Sequence, residues 1–170
     1  MVHIYCGDGK GKTTAAMGLA LRMAGRGRRV VIAQFLKGAD TGERRALAAL
    51  PQVTLLKLPE QVKFSFCLTP EERQMEQRRY QAMLEQLREQ LKDPELGLLV
   101  LDEACAAVNT GLVALEDILS LLDAASGIEA VLTGRDPAPA LLERADYITH
   151  FVKQRHPYDR GIPARPGIEF

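Results

Sequence analysis

The residues with the plainest chemical purpose stand near the start of the chain: Gly7-Asp8-Gly9-Lys10-Gly11-Lys12-Thr13-Thr14. A triphosphate is held by converging backbone N–H groups, a helix N-terminus and a cation, and bulky side chains on the loop would block its approach. Gly7, Gly9 and Gly11 leave room, Lys12 brings charge, and the Thr13 hydroxyl is a magnesium ligand of the right kind. Asp8, Lys10 and Thr14 complete the nucleotide-binding set. The P-loop pattern asks for a further glycine where this chain has Cys6. The competing reading is a glycine-rich turn that binds nothing. Two lysines, two threonines and a strand–loop–helix setting favour the triphosphate.

A magnesium–triphosphate site also needs a carboxylate. Leu98-Leu99-Val100-Leu101 is an apolar strand that ends in Asp102-Glu103, so Asp102 and Glu103 join Thr13 as candidate metal ligands. If water were the nucleophile, Glu103 would polarise it; otherwise it serves as a metal-binding or supporting acid. Thr133-Gly134-Arg135-Asp136 closes another strand, and Arg135 can steady phosphate charge through two parallel hydrogen bonds. Lys12, Arg135 and Glu103 are thus the candidate catalytic residues. Gln34 and Lys37, at the end of the second strand, are candidate substrate or phosphate contacts. His3, His150 and the Arg155-His156-Pro157-Tyr158 stretch lack metal-ligand spacing. Cys67 and Cys105 read as small core residues, and no Ser-His-Asp or Cys-His set is present.

These groups need elements to aim them. Strands are predicted at Val2–Tyr5, Arg29–Phe35, Leu98–Leu101, Ala130–Thr133 and Asp146–Val152, with a short one at Val53–Leu56. Helices are predicted over Thr14–Met23, stopped by Gly25 and Gly27, and over Leu115–Ala124, with a short one after Pro139. The longest runs from Thr69 to Lys92. Thr69 is its N-cap, Pro70 its first residue and Glu72 the partner in a capping box, with an apolar stripe of Tyr80, Met83, Leu84, Leu87 and Leu91. Strands alternating with helices predict an α/β fold: a single-domain P-loop NTPase (RecA-like), with a mainly parallel sheet flanked by helices, over residues 1–170. The connections 37–42 and 59–68 are expected to border the site.

The chain's 170 residues suffice for one buried core, and its 22 basic and 22 acidic side chains balance. No overall attraction to nucleic acid or an anionic membrane follows. Three widely spaced cysteines argue against a disulfide framework and for a reducing, cytoplasmic setting. No signal-like start and no apolar run near ~18 residues is seen.

The whole set resembles a known family. Residues 7–16 (GDGKGKTTAA), Gln34-Phe35-Leu36-Lys37-Gly38, Leu101-Asp102-Glu103, Leu132-Thr133-Gly134-Arg135, Ala145-Asp146 and Gly167-Ile168-Glu169-Phe170 are similar, in order and spacing, to the P-loop corrinoid (cob(I)alamin) adenosyltransferases of the CobA/BtuR/CobO type. That family's loop also lacks the leading glycine, so Cys6 fits it. The resemblance implies transfer of the 5′-deoxyadenosyl group of ATP to the cobalt of a reduced corrinoid, with release of intact triphosphate. It implies ATP bound in reversed polarity along the loop, Mg2+ or Mn2+, a flavoprotein or other reductant, and a homodimer. It also gives aromatic residues of the mid-chain loop to the corrinoid, and Phe64-Ser65-Phe66 resembles that element.

The chain departs from the family in four places. It has no tryptophan, where the second aromatic is commonly Trp. It starts at the first strand, so the N-terminal extension of some relatives is expected to be missing. Asp8 stands where asparagine is usual, and His150-Phe151 replaces an acid–Met pair. Two other activities also fit the residues: a RecA-like P-loop ATPase, and a nucleotide-binding regulatory module without corrinoid chemistry.

Overall fold

A computed structural model describes residues 1–38, 41–60 and 62–169. Ala39 and Asp40 of the 37–42 connection, Gln61 of the 59–68 connection and the final Phe170 of the family-like ending lie outside the described residues. The strands are β1 (Val2–Cys6), β2 (Arg29–Gln34), β3 (Val53–Leu55), β4 (Leu96–Asp102), β5 (Glu129–Gly134) and β6 (Tyr147–His150). The helices are α1 (Lys12–Ala24), α2 (Gly42–Leu47), α3 (Pro70–Gln90), α4 (Ala104–Asn109), α5 (Leu115–Ala124) and α6 (Pro139–Arg144).

One six-stranded sheet runs in the order β3-β2-β4-β5-β1-β6, and every pairing is parallel. Parallel central strands are covered on both faces, which is why β2 and β4 read as unbroken apolar runs rather than alternating ones. Successive side chains still point to opposite faces. Val30, Ile32, Leu98 and Val100 pack with Ala16, Met17 and Ala20 of α1. Val31, Ala33, Leu99 and Leu101 pack on the other side with Tyr80, Leu84 and Leu87 of α3 and Ile118 and Leu121 of α5. The expected fold is present, and the sheet is wholly rather than mainly parallel.

Parallel register brings the chemistry to one edge. Gln34 pairs with Asp102, Leu101 with Leu132, and Cys6 with Gly134, so the carboxyl ends of β1, β2, β4 and β5 finish side by side. Long helix α3 carries the expected capping box: Glu72 N donates to Thr69 Oγ1 at 3.2 Å, and Thr69 N donates to Glu72 Oε2 at 3.1 Å. Its stripe of Tyr80, Met83, Leu84 and Leu87 is buried.

Differences from expectation are local. The final strand stops at His150, because Phe151 turns over the glycine loop instead of extending the sheet. Helices α2 and α4 have six residues each and were not expected from the sequence, being too short to show an apolar period. Helix α4 fits against β5 only because residue 134 is glycine. Gly134 has φ 147°, and a Cβ there would lie 2.7 Å from the Cβ of Cys105.

Candidate active site

The glycine loop leaves β1 at Cys6 and enters α1 at Lys12. Lys12 is buried, and its Nζ donates to the carbonyl oxygens of Gly7 (2.7 Å) and Gly9 (2.8 Å), closing the loop into a ring. Burial lowers the pKa of this ammonium, against an opposing pull from Glu103. Gly7 and Gly11 take φ of 103° and 110°, which glycine alone adopts without strain.

Two of the glycines have a purpose the sequence did not suggest. A Cβ on Gly7 would lie 2.3 Å from His150 Cδ2, and one on Gly9 would lie 2.7 Å from the Phe151 carbonyl carbon. The loop is threaded against the chain's own 150–152 segment. Phe151 N donates to Cys6 O, and Gly9 N donates to Phe151 O, each at 2.8 Å. Asp8 belongs to the same junction. Its exposed carboxylate accepts from Lys153 N at 3.0 Å, and that backbone hydrogen bond holds its pKa below the usual carboxylate range. Its charge therefore turns to the 153 backbone and fastens that segment to the loop.

Asp102 is the centre of the site. Its carboxylate is fully buried and accepts four side-chain hydrogen bonds. Thr13 Oγ1 (2.9 Å) and Thr133 Oγ1 (2.7 Å) donate to Oδ1; Gln34 Nε2 (3.0 Å) and Lys37 Nζ (2.6 Å) donate to Oδ2. Burial alone would raise its pKa, but Lys37 and the Gln34 and Thr133 hydrogen bonds outweigh it and the net shift is downward. Lys37 Nζ also donates to Thr13 Oγ1 at 2.9 Å, so an ammonium sits between hydroxyl and carboxylate. The hydroxyl and carboxylate oxygens around that ammonium are donors of the kind that hard cations such as Mg2+ or Mn2+ take. Among the described residues, no group of three or more His, Cys, Asp and Glu forms a metal cluster. A cation here would depend on Thr13, Asp102 and oxygens from its ligand.

Glu103 follows with φ 61°, its amide donating to Thr133 Oγ1 at 2.9 Å. Burial raises its pKa, and the neighbouring Asp102 charge adds to the rise. It lines a cavity of about 510 Å3 together with Lys12, Arg135, His156 and Tyr158. A second cavity, of about 770 Å3, is bordered by Met17, Lys37, Thr41, Glu43 and Glu60. Lys10, Thr13, Thr14, Ile168 and Glu169 border both, with Lys10 Nζ donating to Ile168 O at 2.7 Å. The P-loop helix start thus faces two openings, with the tail laid between them.

A family model described as ATP:corrinoid adenosyltransferase BtuR/CobO/CobP matches residues 1–170. The chain belongs to this family. The corrinoid adenosyltransferase of Pseudomonas aeruginosa is 32% identical, over 98% of this chain and 82% of its own length. Corrinoid adenosyltransferase CobA of Salmonella typhimurium is also 32% identical, over 100% of this chain and 85% of its own. The Escherichia coli corrinoid adenosyltransferase is 29% identical over the same shares.

Within this adenosyltransferase frame the structure gathers most of the sequence-predicted residues. Asp8, Gly9, Lys10, Gly11, Lys12, Thr13, Thr14, Glu103 and Arg135 border the smaller cavity, and Lys37 borders the larger. Gln34 lies beneath the site, fully buried with both amide ends engaged. Phe64 and Phe66 are neither in the core nor on either cavity wall. They stack at 5.3 Å on a one-turn helix before α3 and are 74% and 83% exposed.

Several residues at the site were missed in the sequence. Tyr80 was read as core only, yet its Oη accepts from Leu36 N at 2.9 Å, fixing a left-handed residue (φ 56°) that turns Lys37 back toward Asp102. Arg44 donates to Gln34 Oε1 at 2.9 Å, and the buried Thr41 hydroxyl has no partner among the described residues. No local pattern marks any of these.

The Asp102–Lys37 pair sets a pH-dependent prediction. A depressed carboxylate pKa contributes stability above the unfolded pKa of about 3.9, and that stability is lost as pH falls through the folded value. Lys37→Met leaves the buried charge without its ammonium and should cost about 3 kcal/mol at pH 7. In the variant, burial no longer opposed by the ammonium raises the Asp102 pKa, so the deficit should shrink on acidification as the variant's Asp102 takes a proton. Urea unfolding of both proteins at pH 7 and pH 4.5 checks this; a deficit independent of pH would contradict it.

Proposed function

We propose that this protein transfers the 5′-deoxyadenosyl group of ATP to the cobalt of a reduced corrinoid and releases triphosphate. The observation that carries the reading is the Thr13–Asp102 cation seat beside the Lys12 loop, in a chain that belongs from end to end to this family. In the reaction the electron pair of Co(I) forms the Co–C5′ bond, and the C5′–O bond breaks with its pair leaving on the triphosphate. Cobalt supplies the nucleophile, so the protein needs none. Its task is to hold C5′ in line and to neutralise charge growing on the departing phosphates.

Lys12, Lys10 and Arg135 meet that charge, helped by the backbone amides of Gly11, Thr13 and Thr14, with Gly7, Asp8 and Gly9 shaping the loop. A bound Mg2+ or Mn2+ supplies further charge neutralisation on phosphate oxygens. Thr13 and Asp102 would hold it, with Glu103, which lines a cavity with Thr13, joining through water, and Lys37 moving from the seat to a phosphate. Glu103, whose pKa burial raises, lines the same cavity as Lys12 and Arg135. ATP runs along the loop in reversed polarity, so that the ribose faces the acceptor.

The exposed, stacked Phe64 and Phe66 offer apolar surface to the lower face of the corrinoid. Displacing the lower axial ligand there makes Co(II) easier to reduce. A flavoprotein is the proposed electron donor, a homodimer the proposed assembly, and the cytoplasm the proposed compartment. Residues 1–170 act as one domain. Among the described residues no helix is long and apolar enough to cross a membrane.

The test mixes protein, Mg-ATP and chemically reduced cobalamin, follows the cobalt–carbon bond by absorbance and identifies the phosphate product. Alkylated corrinoid with triphosphate is the expected result; ADP and phosphate without alkylation would replace the proposal with an ATPase. Lys12→Ala should lower the rate at least ~100-fold. Phe64→Ala with Phe66→Ala should leave the rate on pre-reduced Co(I) within about threefold, and lose about tenfold or more when Co(II) and a reductant are supplied. Equal losses in the two assays would remove the phenylalanines from the reduction step.

A further inference from the structure

Gln34 is a fully buried amide with both ends committed. Nε2 donates to Asp102 Oδ2 at 3.0 Å, and Oε1 accepts from Arg44 Nη1 at 2.9 Å. A guanidinium only donates hydrogen bonds, and an ionised carboxylate only accepts them. Between these two partners the amide has one workable orientation. Inverted, it would set its oxygen against Asp102 and its N–H groups against Arg44, leaving buried polar groups facing their own kind.

Arg44 is itself held in place. It projects from α2, and its Nη2 donates to Leu56 O at 2.8 Å, just past the end of β3. Burial lowers its pKa, against an opposing pull from Glu43. The guanidinium nonetheless remains charged at neutral pH. Gly42 and Glu43, immediately before it, line the larger cavity. A line of contacts therefore runs from that cavity wall through Arg44 and Gln34 to the carboxylate.

We propose that Arg44 is a positioning residue for the cation seat: by fixing the Gln34 amide it holds Asp102 turned so that its carboxylate faces Thr13. Of the two donors on Oδ2, Gln34 is locked by Arg44 and lies fully buried, whereas Lys37 lines the larger cavity and is a quarter exposed. Lys37 is thus the donor that yields to a divalent cation, and Gln34 stays. Without Arg44 the amide can invert, and Oδ2, the oxygen that Lys37 would give up to the cation, loses its fixed donor.

This inference rests on the reading that Thr13 and Asp102 seat a cation beside the triphosphate, so its test reads binding rather than turnover. ATP binding is measured by calorimetry with Mg2+ and with EDTA. If Mg2+ does not tighten ATP binding to the unaltered protein, the seat itself fails and the proposal falls with it. Given that tightening, Arg44→Met should weaken Mg-ATP binding about tenfold while metal-free ATP changes less than twofold. In a Gln34→Met background the same substitution should change Mg-ATP binding less than twofold, because the amide through which it acts is gone.

Equal weakening with and without Mg2+, or an undiminished effect in the Gln34→Met background, would reduce Arg44 to a brace for α2 and overturn the proposal. Should Arg44→Met fail to fold, Gln34→Met alone must reproduce the Mg2+-specific loss, and Arg44→Lys must show part of it. A Gln34→Met protein with unaltered Mg-ATP binding would equally overturn it.

Discussion

A carboxylate buried without water is tolerable only when donors fill its lone pairs. Asp102 is such a group, and the edge of this sheet is organised around it. Its donors come from the first turn of α1, the end of β2, the connection after β2, and the end of β5. None of those elements can shift without uncovering the charge. One acid at the end of a central strand therefore sets the relative positions of the loop threonine, the lysine and the second threonine. Thr133 extends the control one residue further, since it also accepts the amide of Glu103 and so holds that acid in its left-handed turn.

The same arrangement underlies the cation proposed for this place. Lys37 sits where a divalent ion would make the same contacts, on hydroxyl and carboxylate oxygens together. An ammonium that satisfies the buried acid lets the protein fold with the site assembled. Lys37 reaches this place because Tyr80 holds Leu36 in a backbone conformation that side chains seldom adopt. The loop has a comparable support. His150 and Phe151 press against Gly7 and Gly9, and Asp8 holds the Lys153 amide. Asp8 and the His150-Phe151 pair thus serve one junction between the loop and the 150–153 segment.

Much of this was legible in the sequence because the signals are local. Apolar runs of four to seven residues marked strands, the glycine loop marked Lys12, and residue type at the strand ends marked Asp102, Glu103 and Arg135. The capping box of α3 was readable from Thr69 and Glu72 alone. What stayed hidden depends on contacts across long stretches of chain. Gln34 read as a candidate substrate or phosphate contact because it ends a strand, yet Asp102, 68 residues away, holds it in the interior. Tyr80 lies 44 residues from the amide it holds, on a helix stripe that reads as plain core. The tail at Ile168–Glu169 carries no chemical signature and matters only through where it lies.

With these supports the loop is suited to holding phosphates that depart as one unit. Lys10, Lys12 and Arg135 line the smaller cavity together with Glu103, whose pKa burial raises. The central claim is that bond breaking occurs at C5′ and not within the polyphosphate. A single turnover with ATP carrying 13C at C5′ and pre-reduced cobalamin tests it, read by 13C and 31P NMR on the same sample. The account predicts a carbon bonded to cobalt and one intact triphosphate for each such bond. ADP with phosphate, and a 13C signal still that of a ribose C5′–oxygen carbon, would contradict it.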